Sequence, residues 1–76
     1  MSKDKTAANL RKGETGVVKA YEGRALANKL VTLGLLPEST ITMVRKSPLG
    51  DACYLQLDHQ KIALRMSEAA AIVLYN

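Results

Sequence analysis

The sequence predicts a small, mainly β fold: a five-stranded barrel with one α-helix after the first strand and a short helical turn before the last. Three observations carry this. Apolar residues alternate with polar ones in short runs separated by Gly, Pro, Asp and Ser. One segment only, Arg24 to Leu33, follows a helical period. At 76 residues one domain is expected, and closing or nearly closing the sheet on itself removes exposed edges that short strands would otherwise present.

The elements follow in order. Residues 1–9 are polar, small or charged and are expected to be a flexible basic tail, with Leu10 the first anchor of a domain running over residues 10–76. Gly13-Glu-Thr-Gly16 reads as a turn ahead of a first strand, Val17 to Tyr21. In the helix, Leu26, Leu30 and Leu33 make an apolar stripe that Ala27 and Val31 widen, and its expected seat is the open end of the barrel. Gly34 suits the left-handed residue that stops a helix, with Leu35 packing back on Leu30 in a Schellman motif, and Pro37 prevents continuation. Thr40 to Lys46 is the second strand, with Ile41 and Met43 on one face. Ser47 to Asp51 is a loop. Cys53, Leu55 and Leu57 alternate with Tyr54 and Gln56. Asp58-His59-Gln60 connects to Ile62 and Leu64, which alternate with Lys61, Ala63 and Arg65. Ser67-Glu68-Ala69 reads as a helical turn capped by Ser67, with Arg65 placed to pair with Glu68, and Ala71 to Tyr75 as the last strand.

Composition excludes several classes. With no Trp or Phe and three Tyr, aliphatic side chains fill the core. One cysteine forms no intrachain disulfide, which points to a reducing, cytoplasmic setting. The longest clear apolar run, Ala69 to Tyr75, is far short of the roughly 18 residues that cross a bilayer. The first residues lack the apolar stretch of a secretory signal. The formal charge is +4, but Lys3, Lys5, Arg11 and Lys12 against Asp4 account for most of it. The folded part is therefore nearly neutral in count, without a visible basic stripe or stacking aromatics of a nucleic-acid binder.

Four blocks carry a family resemblance: Leu10-x-x-Gly13-x-x-Gly16-x-Val18; Leu30-x-x-Leu33-Gly34-Leu35-x-Pro37; Lys46-Ser47-Pro48-Leu49-Gly50-Asp51; and Ile62-Ala63-Leu64-Arg65 followed by Glu68-Ala69 and Ile72. In this order and spacing the chain resembles the ferrous iron transport protein A family, FeoA. One position departs: Glu38 follows Pro37 where the family often has Gly, which leaves the turn type open. The resemblance implies an SH3-like barrel and a cytoplasmic accessory role in bacterial ferrous iron uptake. It implies action on FeoB, a membrane transporter with a cytoplasmic GTP-binding domain. A similar fold forms the C-terminal domain of some metal-dependent repressors, but this chain has no room for their winged-helix reader.

No phosphate-binding loop, nucleophile-base set or expected cofactor is legible, so no enzymatic activity is expected. Weak metal candidates are His59 and Asp58, adjacent in a turn, with Asp51 and Cys53 the other possible donors. Cys53 shares its phase with Leu55 and Leu57 and is expected inside. Surface binding is the remaining mode. Leu49 between Pro48 and Gly50, and Leu36 before Pro37, are the candidate apolar contacts, rimmed by Arg45, Lys46 and Asp51. The expected partner is the cytoplasmic domain of a FeoB-type transporter, with no nucleic acid, membrane association only through that partner, and a monomer or weak homo-oligomer. Two alternatives stay open: a nucleic-acid- or ribosome-associated barrel using the basic tail, and an iron-binding carrier or sensor.

Overall fold

The computed structural model describes residues 5–75. Six antiparallel strands and two helices follow one another: β1 (Lys5–Thr6), β2 (Thr15–Tyr21), α1 (Arg24–Thr32), β3 (Thr40–Lys46), β4 (Ala52–Gln56), β5 (Lys61–Arg65), α2 (Met66–Ala69) and β6 (Ile72–Leu74). A 3₁₀ turn, Ala7–Asn9, follows β1. The sheet order is β1-β6-β2-β3-β4-β5, so β1 and β5 are its ends.

Curvature comes from β2. Its first half, Thr15 to Val17, pairs with β3, and its second half, Val18 to Tyr21, pairs with β6. A bulge at Lys19 accompanies the switch, and an extra residue in one strand sharpens local twist and bend. A second bulge falls at Val44 in β3, between the Met43↔Leu55 and Arg45↔Tyr54 pairs. The strands thereby wrap one aliphatic core that includes Leu10, Val18, Ile41, Met43, Leu55 and Ile72, all fully buried.

Residues 5–9 belong with the barrel, not with a flexible tail. β1 pairs Lys5 with Leu74 and Thr6 with Val73. Ala7 is fully buried, a small side chain that fits where the chain turns beneath the sheet. The Thr6 N–H bonds the Asn9 side-chain oxygen at 2.9 Å, closing that turn. The remainder of the expected tail, residues 1–4, lies outside the described residues.

The helix stop forms as the sequence predicts. Gly34 has φ 95°, its N–H reaches the Val31 carbonyl at 3.0 Å, and the Leu35 N–H reaches the Leu30 carbonyl at 2.9 Å. Leu30 and Leu35 are both fully buried in the core. The Tyr21 hydroxyl donates to the Leu35 carbonyl and ties this stop to β2, and burial pushes the Tyr21 phenol up. The Pro37-Glu38 turn is type II: Glu38 takes φ 74° after a proline, and the Ser39 N–H closes on the Leu36 carbonyl at 3.0 Å.

Three local expectations change. Gly16 lies within β2, not in a turn, because its bare α-carbon lets Leu74 cross close by. The α1 stripe is only partly core: Leu30 is buried and Leu26 packs against it, but Val31 is 46% and Leu33 36% exposed. The nine-residue helix presents a narrower face to the barrel than its full stripe covers. At α2 the flanking residue is Arg65 rather than Ser67. Glu68 accepts the Arg65 N–H at 3.0 Å, and its other oxygen takes the Lys29 ammonium at 2.5 Å in place of the Arg65 guanidinium. That ion pair links α1 to α2.

Candidate functional site

The β3–β4 loop is closed by its own hydrogen bonds. Pro48 and Leu49 occupy the centre of a turn closed by the Gly50 N–H on the Ser47 carbonyl at 2.9 Å, with Gly50 at φ 73°. The Ser47 hydroxyl bonds Asp51 at 2.5 Å and receives the Ala52 N–H at 3.2 Å. This fixes Leu49 at the tip, 88% exposed.

Leu36, 49% exposed, does not share that patch. Leu36 and Pro37 precede β3 and Leu49 follows it. Seven extended residues, roughly 20 Å of chain, separate the two ends. Leu36 and Pro37 belong instead to the type II turn, beside Tyr75, whose hydroxyl bonds the Glu38 carboxylate.

The expected rim also divides. Lys46 pairs with the buried Cys53 and turns its ammonium to the Ala8 carbonyl, 3.1 Å away. Arg45, opposite in face to Lys46 by strand alternation and taken off the Met43 face by the bulge at Val44, lies over the Tyr54 ring, 5.0 Å from its centroid. Asp51 is engaged by Ser47.

The four residues considered for metal are not brought together. Cys53 is fully buried on the inner face of β4, and burial pushes its thiol up. His59 and Asp58 are exposed in the β4–β5 hairpin and line a depression of about 260 Å³ with Gly34, Ser39 and Gln60. Among the described residues, no group of three or more His, Cys, Asp and Glu side chains is arranged to hold a metal ion.

The pairing register assembles something the linear sequence did not display. Arg45, Tyr54 and Ala63 form one row across β3, β4 and β5, with Lys61 beside Gln56 and Arg65 beside Ala52 in the flanking rows. These three strands contain no Asp or Glu. The outer face is therefore cationic, with Tyr54 at its centre, although the fold is nearly neutral in count. The alternation of Lys61, Ala63 and Arg65 signalled their common face; their approach to Arg45 depended on the bulge.

A curved six-stranded sheet around an aliphatic core, with exposed loops and a charged outer face, defines a small SH3-like barrel. The FeoA domain profile matches residues 5–75. The chain belongs to the FeoA family, which is associated with ferrous iron transport. A Porphyromonas gingivalis protein described as an Fe(2+) transport protein A/Fe(2+) transporter FeoB fusion is 32% identical over 66 residues, covering 86% of this chain. This chain spans 8% of that relative's length. The crystal structure of Stenotrophomonas maltophilia FeoA, an SH3 domain protein complexed with zinc, superposes with a TM-score of 0.80 at 29% identity, covering 93% of this chain and 89% of that one. A FeoA-like protein from Clostridium acetobutylicum gives a TM-score of 0.86 at 24% identity over 99% of this chain and 88% of its own, a likeness of fold. Among the described residues no helix is long and apolar enough to cross a membrane.

Proposed function

We propose that this chain is a non-enzymatic accessory domain that docks on the cytoplasmic GTP-binding domain of a FeoB-type transporter and modulates its nucleotide cycle. The fused relative is the observation that carries this reading: there, a domain similar to this chain shares one polypeptide with FeoB. Tethering keeps two modules at high effective concentration, which favours a contact of modest intrinsic affinity. The exposed Leu49 loop, the Leu36-Pro37 turn and the cationic outer sheet face supply surface for such a contact. The proposed setting is the cytoplasm, with the membrane reached through the partner.

The test uses full-length FeoB in nanodiscs. Saturable binding of this chain, with a change in GTP hydrolysis, is the expected result. No binding at any nucleotide state, together with unaltered hydrolysis, overturns the proposal.

A further inference from the structure

We propose that the edge of β5 accepts an extended acidic segment of a protein partner as an added strand. Two hydrogen bonds at the ends of the β4–β5 ladder establish which backbone groups are open. The Leu57 N–H donates to the Gln60 carbonyl at 2.7 Å, and the Met66 N–H donates to the Asp51 carbonyl at 3.0 Å. In an antiparallel pair, opposed residues that exchange hydrogen bonds alternate with pairs that do not. The register Leu55↔Ile62 and Cys53↔Leu64 therefore holds the bonded pairs between those ends. Lys61, Ala63 and Arg65 point their N–H and C=O groups away from β4. The Arg65 N–H agrees, for it bonds the Glu68 carboxylate at 3.0 Å. Among the described residues, no hydrogen bond outside the ladder reaches the N–H or C=O of Lys61 or Ala63.

The side chains specify the occupant. Lys61 and Arg65 flank the exposed Ala63, whose small side chain leaves the Arg45–Tyr54 pair open to a strand laid alongside. Carboxylates stand at the ends of β5: Asp58 in the hairpin, Asp51 on Ser47, and Glu68, already bonded to Lys29. A second copy pairing through the same edge would bring Lys61 and Arg65 against their own kind, and lysine on an edge discourages such pairing. RNA lacks a stacking platform, because the one aromatic on this face already carries Arg45. An acidic strand satisfies both the open backbone groups and the cations, the mode of recognition known as strand addition.

This inference rests on the docking reading above, and two arms separate the two. In the first, a blocked peptide of roughly eight residues alternating Glu and Val is added to the labelled protein. The expected result is slowed amide exchange at Lys61 and Ala63, weakened by salt. Ala63→Pro, which removes an N–H that β4 does not use, and Lys61→Glu each weaken binding about tenfold. Lys61→Glu keeps every backbone group, so its result stands even if proline disturbs the strand. Peptide binding without protection of these two amides overturns the inference, as does tighter binding of poly(U) or of phosphatidylserine vesicles, or protection that grows with protein concentration alone. In the second arm, exchange is measured with full-length FeoB. Protection at Lys61 and Ala63 supports both readings. Binding that protects only other residues overturns the edge inference and leaves docking intact. Peptide protection without FeoB binding sustains the edge inference and removes the transporter.

Discussion

Leu74 Cδ1 lies 2.7 Å from the position a β-carbon would occupy on Gly16. Gly16 has no positive φ, so its requirement is one of space: the strand that switches partners here passes directly beneath a core leucine that is 2% exposed. Gly16→Ala is expected to destabilise the fold by about 1–3 kcal/mol through overpacking. Leu74→Val costs about 1 kcal/mol alone. The double variant should be more stable than the sum of the two losses predicts, since each substitution acts on the same contact. Urea denaturation of the four proteins measures this, and strict additivity would show that the contact is not the cause.

The type II turn places Glu38 where glycine is at ease. At φ 74° an alanine keeps the steric penalty and a glycine does not. Both substitutions lose the bond from Tyr75 equally. Glu38→Gly is therefore expected to exceed Glu38→Ala in stability by about 1 kcal/mol, read from thermal or chemical unfolding.

Acid stability should carry the mark of Glu68. The hydrogen bond from the Lys29 ammonium, then that from the Arg65 N–H, holds its carboxyl below the usual glutamate range. A carboxylate depressed in the folded state contributes stability above its unfolded pKa and loses it as pH falls through the folded one. Glu68→Gln should therefore flatten the stability profile as pH falls through and below the usual glutamate range. With Lys29 half exposed, the pair contributes about 0.2–1 kcal/mol, diminished by salt.

Cys53 offers a probe of opening. Its side chain is fully buried and its thiol is pushed up by burial. Both effects suppress the thiolate that reacts. Labelling by a disulfide reagent should wait on unfolding and accelerate with urea in step with the loss of global stability. Rapid labelling of the native protein would contradict the burial of β4.

The cation–π pair on the outer face predicts a modest coupling. Arg45 over Tyr54 contributes about 0.5–1 kcal/mol at an exposed site. A double-mutant cycle with Arg45→Met and Tyr54→Leu should recover a coupling of that size.

The sequence by itself determined the phases of β4 and β5, the Schellman stop at Gly34 and the inward placement of Cys53. Each depends on periodicity or on one residue's backbone preference, and both act within a few positions. The four blocks that resemble FeoA were legible for the same reason, because turns and caps carry their residues locally. Tertiary structure alone decided what depends on pairing. Lys5 and Thr6 became a strand because β6 offered an edge to them. Gly16 became a contact because Leu74 crosses it. Leu36 and Leu49 parted because β3 runs between them, and Arg45 left the Met43 face because of the bulge at Val44. Charge counted along the chain was nearly balanced beyond the first residues. Register then gathered Arg45, Lys61 and Arg65 on three strands without a carboxylate, and a charged surface is a sum over neighbours in space, which linear spacing does not fix.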